Sequence, residues 1–159
     1  MGTEPIESGE TETDLIWRWH DNLIYGIRFD LGDPEKQEWR SNLVFDIDFI
    51  SEWIRGPSNE YRFKVAPATL TFHDVGDLSI LIDQGNSSGR NAMTECSIDS
   101  VTRIRLDRTF DFWRWTINLN MPSGGKIEFC ASGFSQTLRE APRLVSEQRL
   151  PRGDRHNEP

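Results

Sequence analysis

The chain has 159 residues and a mass of 18.4 kDa, enough for one domain with its own core and no metal or disulfide staple. Its 36% hydrophobic and 28% charged residues are those of a soluble globular protein. The formal net charge of -8 argues against a generic electrostatic binder of nucleic acid or anionic lipid, so neither nucleic acid nor membrane is an expected partner.

The first segment, residues 1–13, holds Glu4, Glu7, Glu10 and Glu12 with no basic partner and little to bury. It reads as an acidic disordered tail that carries half of the net charge. Met1 to Asp14 has no Lys, Arg or apolar stretch, so it does not read as a secretory signal. Cys96 and Cys130 lie in no metal-finger or disulfide spacing and read as reduced thiols, for which cytoplasm is the expected location.

From Asp14 to Leu150 a period of two dominates. Leu23, Tyr25, Ile27, Phe29 and Leu31 alternate with Arg28 and Asp30, and Leu43, Phe45, Ile47 and Phe49 alternate with Asp46 and Asp48. Ala68, Leu70 and Phe72 follow, then Leu78, Ile80 and Ile82, and the loop Gly85-Asn86-Ser87-Ser88-Gly89. Ile98, Ile104 and Leu106 lead to Trp113, Trp115, Ile117 and Leu119, and the last stretch is Ile127, Phe129 and Ala131. Such stretches, separated by Gly, Pro, Asn and Asp, predict a mainly β single domain over residues 14–150. Its expected form is an antiparallel meander: a curled sheet or incomplete barrel, with a short C-terminal helix within Ser135–Leu150. Residues 151–159 read as a second disordered tail.

The last three strands permit a register expectation. A two-residue loop at Thr109–Phe110 sets Leu106 opposite Trp113 and Arg105 opposite Arg114, with Arg103 on the same face. A three-residue loop at Pro122–Gly124 sets Leu119 opposite Ile127 and Trp115 opposite Ala131. The tryptophans are then core residues, and Arg103, Arg105 and Arg114 form a basic row. Like charges set opposite one another call for a counter-charge, from Asp107, from Asp46 and Asp48 of another strand, or from an acidic partner or anion. These five residues are the candidate binding set.

No catalytic constellation emerges. Asp46 and Asp48 share a face, but no spacing shows the cleft that acid–base chemistry needs. There is no Gly-x-Ser-x-Gly, and neither cysteine sits in a nucleophile motif. Two His-Asp pairs, His20-Asp21 and His73-Asp74, each follow an aromatic residue and read as strand-end turns. A metal site would require His20 and His73 to converge with a carboxylate such as Asp46. No cofactor is expected.

The order Trp19-His20-Asp21 into an alternating strand, Asp46-Ile47-Asp48, Thr69-Leu70-Thr71-Phe72-His73-Asp74 and Gly125-Lys126-Ile127-Glu128-Phe129 resembles small β-rich bacterial domains of unknown function. Some of these are grouped with immunity proteins of polymorphic toxin systems. The resemblance spans most of Trp19 to Gly133 and implies a β-meander that neutralises a partner protein; it assigns no functional residue. Three readings follow: a non-enzymatic protein-binding, immunity-like domain; a small-molecule-binding β-barrel with the Trp face as its pocket; and a metal-dependent hydrolase on His20, His73 and Asp46. The first is preferred, with a protein as partner, and the acidic body suits a basic one such as a nuclease toxin.

Overall fold

Alternating β-branched and aromatic residues can bury one side chain in two, which suits strands in a sheet with a core on one face. In the computed structural model, which describes residues 12–85 and 94–155, that alternation becomes nine strands among the described residues. They are β1 (Leu23–Leu31), β2 (Ser41–Arg55), β3 (Tyr61–His73), β4 (Gly76–Leu81), β5 (Cys96–Arg105), β6 (Trp113–Met121), β7 (Lys126–Ala131), β8 (Gly133–Leu138) and β9 (Arg143–Val145). One helix, α1 (Glu12–Arg18), precedes them. Its acidic first turn and basic last turn complement the helix dipole, and Leu15 is its buried residue. No helix among the described residues is long and apolar enough to cross a membrane. The loop expected over residues 85–89 falls, after Gly85, outside the described residues.

The sheet is antiparallel and not closed into a barrel, with strand order β4-β7-β6-β5-β1-β2-β3-β8 and β9 added to β3. It consists of two meanders, β1-β2-β3 and β5-β6-β7, joined where Leu23 and Ile24 pair with Ser97 and Cys96. β4 crosses from the first meander to the second, and β8 crosses back. The ring of Phe72 on β3 lies 4.7 Å from Phe129 on β7 and 5.0 Å from Trp115 on β6. β3 and β7 are five places apart in the strand order, so a flat sheet would separate them by about 24 Å at about 4.8 Å per strand. The sheet therefore curls, and its two halves close over a core of Trp19, Phe45, Phe72, Trp115, Ile117 and Phe129. Trp19 donates its indole N–H to Gln136 Oε1 at 2.7 Å, which satisfies its polar atom inside that core.

Five expectations are corrected. Glu12 and Thr13, expected in the tail of residues 1–13, open α1, and residues 1–11 lie outside the described residues. Ser135–Leu150 holds most of β8, all of β9 and no α-helix: Gln136 is buried on β8, and Pro142 interrupts the chain just before β9. Residues 151–155 are not a tail: they form a 3-10 turn (Arg152–Asp154), and Arg155 is buried; residues 156–159 lie outside the described residues. The β5–β6 register is one residue off the expected one. Arg105 faces Trp113, Ile104 faces Arg114 and Arg103 faces Trp115, because the hairpin closes at Leu106 and Phe112 over a longer loop. Irregularities in β5 between Ser97 and Ser100 bring Ile98 and Val101 both into the core, which period-two counting does not anticipate. The β6–β7 register shifts by two, with Trp115 opposite Phe129 and Ile117 opposite Ile127. An even shift keeps every side chain on its expected face.

Candidate functional site

The expected basic row is taken apart by the register. Arg103 and Arg105 lie on the core side of β5 with Trp113 and Trp115, whereas Arg114 lies on the other side with Ile104. The Arg103 guanidinium sits 3.9 Å from the Trp113 ring and 2.9 Å from Glu12 of α1, and Arg105 pairs with Asp111 at 2.9 Å. Asp46 and Asp48 pair with other cations, on the outer face of β2. The two His-Asp pairs are turns: Asp21 and Asp74 take positive φ values of 62° and 55°, a conformation Asp tolerates. His20 Nδ1 is 3.2 Å from Asp21, and His73 Nε2 is 2.9 Å from Ser135 Oγ. No cluster of three or more His, Cys, Asp or Glu able to hold a metal exists among the described residues.

The Trp face is packed solid rather than hollow among the described residues, since Phe72, Phe129 and Phe134 fill the space around Trp19 and Trp115. The chemistry lies instead on the outer face, where the chain after β9 crosses the sheet as a strap. Leu150 drops onto Ile50, Phe63 and Val65 and forms a second, smaller core. Its backbone N–H donates to Asp48 Oδ2 at 3.1 Å. Arg155 then inserts its guanidinium between Asp48 (2.6 Å) and Glu95 (2.5 Å), 4.4 Å from the Tyr25 ring. Asp48 is fully buried and the Arg155 side chain is 5% exposed. Burial pushes the Asp48 carboxyl above its usual range, against the pull of Arg155 and the Leu150 N–H. Burial alone would favour losing the Arg155 proton, but hydrogen bonds to Glu95 and Asp48 outweigh it and hold the cation firmly. The hydrogen bond from Arg155 also holds Glu95 below its usual value.

Asp46 has its own partners: Arg28 at 2.6 Å and Arg139 at 2.7 Å. Arg139 also donates to Tyr25 Oη and Thr69 Oγ1. Gly26 is required opposite Asp46, since a Cβ there would lie 2.7 Å from Asp46 Oδ2. Asp46 and Asp48 are thus internally paired, and act as anchors for Arg139 and Arg155.

Beside the strap, β2 and β3 continue past their neighbours. β1 reaches only to Asp48 and β9 covers only Phe63 to Val65, so Glu52–Arg55 and Tyr61–Arg62 form a two-stranded arm closed by the Gly56–Glu60 turn. Trp53 stands opposite Phe63, on the face where Phe63 meets Leu150; its ring packs edge-on to Phe63 (5.0 Å) and Tyr61 (6.4 Å). The apolar stripe that Leu150 covers therefore runs out into Trp53 and Tyr61, 46% and 47% exposed. At Leu150 the stripe meets a cavity of about 690 Å³, lined by Arg62, Glu147, Arg149, Arg152 and Arg155 with Leu144, Leu150 and Pro151 among its apolar walls; Trp53 and Tyr61 do not line it. Among the described residues Arg62 makes no ion pair, while Arg149 and Arg152 pair loosely with Glu147 and Glu95 at 3.3 and 3.4 Å. The Arg149–Glu147 pair is exposed at both ends, and a pair of this kind contributes little, which leaves Arg149 available to a ligand carboxylate. The arm is the feature that period-two counting passed over; the exposed Trp53 and Tyr61 in an otherwise charged stretch were the available signal.

No family model, no curated protein and no solved structure matches this chain.

Proposed function

We propose that this chain is a non-enzymatic protein-binding domain, an immunity-like neutraliser of a partner toxin working in the bacterial cytoplasm. The supporting observation is the half-exposed Trp53–Tyr61 pair on the projecting arm, whose apolar stripe continues through Phe63 to Leu150 at the wall of an arginine-rich cavity. Trp, Tyr and Arg are the side chains that carry most interface energy, and an aromatic pair already packed on Phe63 has little entropy left to lose. The local surface suits a partner that presents carboxylates, although the whole chain is acidic. Two free, buried thiols, Cys96 and Cys130, suit a reducing compartment.

The test is co-expression of the full chain with the toxin-like product of a neighbouring reading frame. Protection by wild type, lost with Trp53→Ala/Tyr61→Ala while the melting temperature holds, supports the reading. The double substitution should weaken the complex at least about tenfold. Equal protection or equal affinity with both chains sinks the arm as the binding surface.

The cavity favours a second reading, a small carboxylate ligand, because it exceeds the roughly 300 Å³ such a site needs. That reading requires dicarboxylates to raise the melting temperature of wild type and not of Arg62→Ala.

A further inference from the structure

A separate surface belongs to β1. Antiparallel pairing alternates the backbone groups that face a neighbour, and the Gly32 N–H donates to the Arg40 C=O at 2.8 Å. With the register Asp30–Asn42, Phe29–Leu43 and Arg28–Val44, the backbone groups of Arg28 and Asp30 turn to β2. Those of Ile27, Phe29 and Leu31 turn to the other edge. There β5 engages only Leu23 and Ile24, so among the described residues no strand covers β1 beyond them. This edge carries no Pro or Lys to discourage pairing, and Phe29 and Leu31 are exposed beside it.

We propose that this edge binds a second copy of the chain, strand to strand, about a two-fold axis through Phe29. The side-chain sequence is self-complementary in that register. Phe29 meets its counterpart, Ile27 meets Leu31, and Arg28 meets Asp30 of the other copy, twice. The three pairs that need outward backbone groups are the three that have them. Within each copy Arg28 already pairs with Asp46 and Asp30 with Arg40, at 2.6 and 2.9 Å. Dimerisation therefore completes a row of alternating sign: Asp46, Arg28, then Asp30 and Arg40 of the second copy. Leu31 of that copy arrives opposite Ile27, at the cavity of about 290 Å³ that Ile24, Ile27 and Ile82 help to line. A one-residue slip would set apolar residues against Arg28 and Asp30 and lose all three backbone pairs, so the register is specific.

The experiment is light scattering with sedimentation equilibrium on the full chain over about a hundredfold dilution range. Wild type should show twice the 18.4 kDa of one chain at the upper end. Arg28→Asp sets a new carboxylate against Asp30 of the other copy, and Asp30→Arg sets a new guanidinium against its Arg28, so each variant alone should run at one chain mass. Mixed in equal amounts they should return to two, since both cross-strand pairs are then of opposite sign. Phe29→Pro removes one outward N–H and leaves the β2 ladder intact, and should also be monomeric with wild-type circular dichroism. Trp53→Ala/Tyr61→Ala should remain dimeric, which separates this edge from the arm. A wild type that stays at one chain mass, a mixture that does not associate, or a Phe29→Pro chain that still dimerises would overturn the proposal.

Discussion

Arg155 Nη2 lies 2.6 Å from Asp48 Oδ2, a contact between residues 107 positions apart that fastens the end of the described chain to the middle of β2. Arg155 also satisfies Glu95, which precedes β5, so one guanidinium ties the strap to both meanders.

Removing the cation should cost more than the pair contributes. Arg155→Met leaves the Asp48 carboxylate buried with no counter-charge, a loss of about 3–5 kcal/mol by analogy with other buried pairs. Urea unfolding should show that loss, and hydrogen exchange should show residues 144–155 opening first. Asp48→Asn/Arg155→Met should recover more than half of it, because no buried charge is then stranded. Full additivity of the two substitutions would count against this account.

Acid should loosen the same latch through Glu95. Its folded value lies below the ordinary 4.5 because Arg155 donates to it, so its contribution is present above that value and fades as pH falls through the lower folded one. Asp48 has the opposite sign, since burial raises its folded value. The stability difference between wild type and Glu95→Gln should therefore be larger at about pH 6 than at about pH 3, as read by urea midpoints. A constant difference would show that Arg155 does not hold Glu95 in this way.

Gly26→Ala should destabilise by about 1–3 kcal/mol, the usual cost of forcing a methyl into packed space. The new Cβ would meet Asp46 Oδ2 at 2.7 Å and push the carboxylate off Arg28 and Arg139. Thermal unfolding measures the loss, and an unchanged midpoint would mean that Asp46 moves freely.

The curl of the sheet makes Phe72 and Phe129 energetically coupled. Each alanine substitution should cost about 3–5 kcal/mol, and the double-mutant cycle should leave a coupling of about 0.5–1.5 kcal/mol from the edge-on rings. Coupling near zero would mean that the two halves of the sheet do not meet at this point.

Both cysteines should be silent in the native state. Cys96 and Cys130 are buried and burial raises both thiols, so a disulfide-exchange reagent should label them only at the rate of unfolding. Rapid labelling without denaturant would contradict their placement.

Period-two alternation and turn residues are local properties, and they determined the fold class, the bounds of β1 and the core roles of Trp115, Phe45 and Phe72. Parity survived in β6 and β7 because a one-residue slip there would bury Glu128. It failed in β5, where backbone irregularities near Ser97–Ser100 change which side chains point inward, and no residue type announces them. The basic row of Arg103, Arg105 and Arg114 was lost with that parity. Asp46 and Asp48 were legible as a pair on one face, but their partners were not. Arg139 and Arg155 sit in polar surroundings that carry no pattern, and a lone Leu150 among charges gives no period to read. Only the tertiary structure decides which cation a buried carboxylate receives, because the choice depends on which distant segment the curled sheet brings within reach, and not on the residues beside it in the chain. The net charge of -8 carries the same lesson: it limits what the chain can bind in bulk, while the surface around Leu150 is set by Arg149, Arg152 and Arg155, which the strap gathers there.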